Sequence, residues 1–195
     1  MPTCGAQYFR YIHSSWQRLY ADALSPKEKE LITEALEVSA KSLGLWEAES
    51  WGDKIEDRVT QVTFSALGQE APIAAKRRWD PTGSKRKLLC RLASIRLPEF
   101  EFRIGGSSSV DVTRKGVDKA YGVFRLTQHL ALPLEQVLFI GDKLEEGGND
   151  YPVKAMGVRC ISVTRWQDTL AVLKRMLWWL DSGVRDSWTF FKPEI

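Results

Sequence analysis

The sequence predicts an α/β protein in two parts: a small α+β layer up to about residue 112, then a segment with the rhythm of a parallel, doubly wound sheet. Three observations carry this. From 117 to 182 helical and strand patterns alternate, with helix 117–130, strand 136–141, a short helix 151–156, strand 158–163 and helix 166–182, and such βαβα order implies parallel pairing. The apolar run Val137-Leu138-Phe139-Ile140 stops at Gly141-Asp142, so it delivers a carboxylate to the edge where open α/β sheets place ligands. Before 112, Phe100 to Ile104 alternates strictly, Gly105-Gly106 breaks it and Ser109 to Val112 resumes, which implies a two-strand unit.

The remaining elements follow in order. Residues 1–12, with Tyr8, Phe9 and Tyr11, suit a strand and hairpin arm. Ser25, Pro26 and Glu28 supply an N-cap, a first-turn proline and a capping-box acid, so a helix runs from about 26 to 43 with Leu31, Ile32, Leu36 and Val38 at near-helical spacing. Arg58 to Leu67 is rich in β-branched residues and alternates, as a strand with one buried face would. Pro72 starts a short helix, and Gly83-Ser84 leads into another that carries Leu88, Leu89, Leu92 and Ile95 on one face. Two parallel strands are too few for a doubly wound sheet, so something that normally completes it is expected to be missing.

Composition narrows the class. A chain of 195 residues holds one medium domain or two small ones, and no charge-poor apolar run approaches the length of a membrane span. The opening Met1-Pro2-Thr3-Cys4-Gly5 lacks signal-peptide regions, so a cytoplasmic location is the default and no membrane partner is expected. A net charge of +3, with no aromatic-basic platform beside Lys76-Arg77-Arg78 or Lys85-Arg86-Lys87, argues against nucleic acid. Cys4, Cys90 and Cys160 form an odd set without a CxxC pair and read as reduced core residues. Trp16, Trp178 and Trp179 read as core or interface packing, and the tail aromatics Trp188, Phe190 and Phe191 as either core or a surface anchor.

Two segments carry the chemistry. Gly105 to Val112, followed by Gly116-Val117-Asp118-Lys119, and Gly141-Asp142-Lys143, followed by Gly147-Gly148-Asn149-Asp150, place a lysine and a carboxylate cluster where a phosphate and magnesium would meet. Together they resemble the haloacid dehalogenase superfamily, in the subclass with the large α/β (C2) cap and its phosphomannomutase-like branch. The resemblance implies a Rossmann-like core of which only the C-terminal half is present. The chain then divides into 1–12 as a residual core strand or hairpin, 13–112 as an α+β cap and 113–195 as core.

The resemblance also implies roles. Lys119 matches the lysine that neutralises the transferring phosphoryl group; Asp142 matches a magnesium ligand, and Asn149 and Asp150 match residues that position the metal and its loop. In the cap, Arg58 and Lys76 fall where arginines hold the distal phosphate of a sugar bisphosphate, and Ser109 and Asp111 fall where side chains approach substrate hydroxyls or phosphate. Gln69 stands where another such arginine is expected, which makes a simple phosphatase a better expectation than a mutase.

The larger departure is that no Asp-x-Asp follows an apolar run anywhere in the sequence, although the family's nucleophile and general acid occupy that motif. The family pattern begins at Pro2-Thr3-Cys4-Gly5, so two or three βα units, roughly 70–90 residues at about 30 each, are expected to be missing. The first expectation is a truncated magnesium-dependent phosphatase for a sugar phosphate or similar phosphomonoester, inactive alone. The alternatives are a split-enzyme subunit whose partner chain completes the core, a phosphosugar-binding module, and a phosphomannomutase-like phosphotransferase.

Overall fold

The computed structural model describes residues 1–182, which fall into two units, Met1–Val117 and Asp118 onward. The chain opens with a single 3-10 turn, Thr3–Gly5, and an antiparallel hairpin of β1 (Gln7–Ile12) and β2 (Ser15–Ala21). His13 and Ser14 both take positive φ, 50° and 60°, as a two-residue hairpin turn that matches the strand twist requires. The arm expected over 1–12 is therefore one strand of a hairpin that extends to Ala21, and it belongs to the first unit. Its base is tied to a later turn by Gln7 Nε2 donating to the Arg58 carbonyl (3.0 Å) and by the Thr3 and Thr60 hydroxyls (2.7 Å).

Helix α1 (Pro26–Ser42) begins with the expected capping box, in which Ser25 accepts from the Glu28 N–H and Glu28 accepts from the Ser25 N–H. Four antiparallel strands follow, β3 (Ile55–Asp57), β4 (Val62–Ser65), β5 (Phe100–Gly105) and β6 (Ser109–Arg114), in the order β3-β4-β6-β5. Between β4 and β5 lie α2 (Ile73–Trp79) and α3 (Ser84–Arg96). One sheet face packs Val62, Phe64, Val110, Val112, Phe100 and Phe102 against Ile32 and Leu36 of α1 and Leu89 and Ala93 of α3. The other face carries Thr63, Ser65, Ser109 and Asp111, because alternate side chains point to opposite faces.

Several expectations change here. The strand expected over 58–67 shortens to Val62–Ser65 and is buried on both faces, while 58–61 forms a turn in which Val59 takes φ 70°. Helix α3 rotates relative to the expected face: Arg86, Leu89 and Ala93 point inward, and Leu88 and Ile95 are 51% and 72% exposed. Leu31 and Val38 of α1 also face solvent. Trp16 and Trp178 are exposed rather than core residues, and all three cysteines are half-buried with none in a disulfide.

The second unit holds α4 (Lys119–Leu130), a 3-10 turn at Leu134–Gln136, β7 (Leu138–Gly141), α5 (Tyr151–Ala155), β8 (Arg159–Ser162) and α6 (Trp166–Asp181). The strands pair in parallel, Leu138 opposite Arg159 through Gly141 opposite Ser162, and form a sheet of two. Burial is sparse: Leu144, Val153 and Val158 are the buried apolar side chains of this unit among the described residues, and α6 buries none. The tail aromatics Trp188, Phe190 and Phe191 lie outside the described residues. Among those described, no helix is long and apolar enough to cross a membrane.

Arg114, the last residue of β6, donates to both Glu28 oxygens (2.8 and 2.7 Å) and to the carbonyls of Asp22 (3.1 Å) and Ala23 (2.8 Å), which fastens the sheet to the start of α1. The guanidinium holds the Glu28 carboxyl well below its ordinary value, to about 2. A carboxylate depressed in the folded state stabilises fully above its unfolded pKa and loses that contribution as pH falls through the folded one. Glu28→Gln should therefore lose about 1 kcal/mol of stability at neutral pH, allowing for solvent screening, and the gap between variant and wild type should close between about pH 4.5 and 2 in denaturant titrations.

Candidate phosphate site and ligand-facing sheet

In the second unit the chemistry collects at the C-terminal end of β7. Asp150, 1% exposed, accepts from the backbone N–H groups of Asp142 and Lys143 with one oxygen, both at 3.0 Å, and from the Lys119 ammonium with the other. The Asp150 N–H returns to the Lys143 carbonyl at 3.1 Å, so loop 142–150 closes on itself. Two glycines make the closure possible. A Cβ on Gly141 would meet the Asp150 carboxylate at 2.6 Å, and one on Gly148 would meet the Lys143 carbonyl at 2.2 Å. Lys119 opens α4, whose N-cap Asp118 accepts from the Tyr121 N–H at 2.9 Å, so a cation and a helix N-terminus share one place.

The expected metal residues divide. Asp142 and Asn149 have exposed side chains, whereas both Asp150 oxygens are engaged by Lys119 and the loop backbone. Among the described residues no three His, Cys, Asp or Glu side chains gather as a metal centre. Asp142 and Asn149 remain as exposed oxygen donors, and a magnesium ion, which takes one or two carboxylates beside its waters, would need at least one further donor to be held tightly.

In the first unit the pairing registers Glu56, Thr63, Asp111 and Arg103 opposite one another in a row across all four strands. Thr63 Oγ1 donates to Asp111 at 2.7 Å, and Gln61 Nε2 donates to Thr63 Oγ1 at 2.9 Å. Ser109 lies in the next row, opposite Ser65 and Gly105. Arg58 sits in the β3–β4 turn, beside the strained Val59, and its guanidinium donates to Glu56 at 2.7 Å. Hydrogen bonding to Glu56 raises the Arg58 pKa, and the Asp111 charge contributes in the same direction. Lys76, on α2, donates to the Gln69 carbonyl at 2.7 Å. The Gln69 Nε2 is buried and has no hydrogen-bond partner among the described residues.

Ser109 and Asp111 thus share a polar sheet face, Arg58 borders it electrostatically, and Lys76 stands with Gln69. A buried pair that the sequence reading passed over joins them: Asp80 and Arg86, 3% and 6% exposed, with Arg86 Nη1 donating to the Gly106 carbonyl at 2.7 Å. Asp80 six residues before Arg86, at the start of a helix whose Gly83 N-cap has no side chain, was the available signal.

A two-stranded parallel segment with a lysine and a closed acidic loop at one edge, together with an α+β layer, defines a haloacid-dehalogenase-like fold with a cap. The eukaryotic phosphomannomutase family model matches residues 48–179, and the chain belongs to that family. A phosphomannomutase of Schizosaccharomyces pombe is 32% identical over 133 residues, 64% of this chain and 50% of that protein. One of Arabidopsis thaliana is 40% identical over 79 residues, 38% of this chain and 29% of that protein. Among solved structures, an N-terminal truncated Plasmodium falciparum IMP-nucleotidase has a TM-score of 0.60 at 15% identity, covering 88% of this chain and 47% of that one, which speaks to the fold alone. The chain spans about half the length of the first curated relatives it matches, 50% and 47%.

The Asp150 geometry generates a stability ranking. Asp150→Ala should lower stability by about 2–4 kcal/mol, since it frees two loop N–H groups and strips Lys119 of its counter-charge, while Asp142→Ala should stay within about 0.5 kcal/mol. Equal unfolding midpoints for the two variants in urea would sink this assignment of Asp150.

Proposed function

We propose that Lys119 and the 142–150 loop supply the cationic part of a phosphotransfer site for a sugar phosphate or similar phosphomonoester, and that the polar sheet face of the first unit is a sugar-phosphate recognition surface. The observation that carries the reading is the pairing of Lys119 with Asp150 of the closed 142–150 loop, within the residues that the phosphomannomutase family model matches. Lys119 offers a fixed positive charge to a phosphoryl group, and Asp150 keeps its ammonium from swinging away. Within the first unit, Arg58, Ser109, Asp111 and Lys76 are the side chains suited to contact a sugar phosphate. The sequence holds no Asp-x-Asp, so the aspartyl-phosphate route requires those carboxylates, and further donors for any magnesium, from polypeptide outside these residues, in the same chain or in a partner.

The neutral Gln69 favours a monophosphate over a bisphosphate. An arginine there would offer a bidentate cation, whereas a buried amide offers only an uncharged NH2. Phosphatase chemistry is therefore the first reading. The second is a phosphosugar-binding module, favoured by the absence of a nucleophile.

The test is a magnesium-supplemented phosphatase assay of the 195-residue chain with an aryl phosphate and a hexose phosphate panel, run beside calorimetric binding of the same ligands. The expected result is saturable hexose monophosphate binding, weakened about tenfold or more by Lys119→Ala, without turnover. Turnover by the chain alone that Asp142→Ala abolishes would contradict the missing-nucleophile argument. In the same calorimeter, Gln69→Arg should raise affinity for a hexose 1,6-bisphosphate about tenfold, more than it does for the monophosphate.

A further inference from the structure

We propose that Arg86, locked to Asp80, is a positioning residue: it sets the Gly105–Gly106 turn, and through it the Ser109 and Asp111 side chains that receive the ligand. This rests on the reading of Ser109 and Asp111 as ligand contacts.

The cations of α3 are Lys85, Arg86, Lys87, Arg91 and Arg96, and Arg86 is the buried one. Its guanidinium is divided between two tasks. Nε donates to the Asp80 carboxylate at 2.9 Å and Nη2 to the Asp80 carbonyl at 3.1 Å; Nη1 donates to the carbonyls of Gly106 at 2.7 Å and Gly105 at 3.3 Å. The Asp80 carboxylate also accepts the backbone N–H groups of Lys85 (3.2 Å) and Arg86 (3.1 Å), capping α3 from a distance. The pair therefore joins the end of α2, the start of α3 and the β5–β6 turn.

Stability alone explains such a pair poorly. Burying two charges forfeits their hydration, and well-packed apolar residues commonly serve as well, so the geometry that the pair specifies is the stronger reason for it. Here that geometry is the turn before Ser109. Gly105 closes against Asp111, whose carboxylate lies 2.5 Å from the place a Cβ would take, so moving the turn moves the carboxylate. From the β4 side the turn is held by the Ser65 and Ser108 hydroxyls (3.4 Å) and by the Ala66 N–H on the Ser108 carbonyl (3.4 Å). Only a forked donor reaches a carboxylate and three carbonyls at once; a lysine ammonium is a single point.

Arg86→Lys and the double variant Asp80→Leu/Arg86→Met test this. The second removes both buried charges together, so it leaves neither unpaired and keeps the fold within reach. Melting temperature, calorimetric affinity of the folded protein for mannose 6-phosphate, and amide exchange at 105–111 are measured on both and on wild type. The expected result is about a tenfold loss of affinity in either variant at temperatures where it is fully folded, with faster exchange confined to 105–111. Wild-type affinity in the folded variants would overturn the positioning role and leave the proposed function standing. No saturable binding by wild type, with or without the same exchange changes, would instead overturn the ligand-site reading and this role with it.

Discussion

The Asp150 carboxylate is the constraint on which the chemical end of this protein depends. It is buried, and a buried carboxylate is tolerated only when its oxygens are filled with donors. Two of those donors are the N–H groups that follow β7, and the third is the lysine that opens α4. One side chain thereby fixes the turn after a strand, the start of a helix and the orientation of a cation. The glycines at 141 and 148 are required by the same carboxylate and loop, because a side chain at either would collide with them. The glycines at 141 and 148 and the aspartate at 150 are thus the trace of one packed loop.

The first unit solves a different problem with the period of two. A sheet needs one face for its core, and Val62, Phe64, Val110 and Val112 provide it. The alternating residues Thr63, Ser65, Ser109 and Asp111 are then free to be polar, and registration across four strands aligns them into rows. The polar rows come from the same strands that make the core, so a register slip would destroy both together.

What the sequence disclosed follows from the range of each interaction. The capping box at Ser25 and Glu28, the alternation of β5 and β6, and the strand ending at Gly141-Asp142 are local, and each was readable. Lys119, Asp142, Asn149 and Asp150 were readable through their spacing, but spacing could not say that Asp150 spends both oxygens inside the protein. The second hairpin strand was obscured by exposed residues such as Trp16, which carry no burial pattern. Helix α3 misled because a narrow inward stripe made of an arginine, a leucine and an alanine is quieter than Leu88 and Ile95, which face solvent. Arg86 and Asp80 were invisible as a pair, since the fork's other partners are backbone carbonyls some 20 residues away.

The two units differ in how completely they satisfy themselves, and that difference bears on function. The first has a continuous apolar core, a capped principal helix and a polar face whose members already bond one another. In the second, two parallel strands of half-buried Leu138, Phe139, Ile140, Cys160 and Ile161 stand with a helix that buries nothing, and Leu173, Leu177 and Trp178 are exposed. Parallel strands are stable when helices cover both faces, which a pair of strands with so little burial does not achieve. The lysine and acidic loop lie in this less complete unit, on a sheet with few strands, so their rigidity comes from the Asp150 carboxylate and the loop wrapped around it.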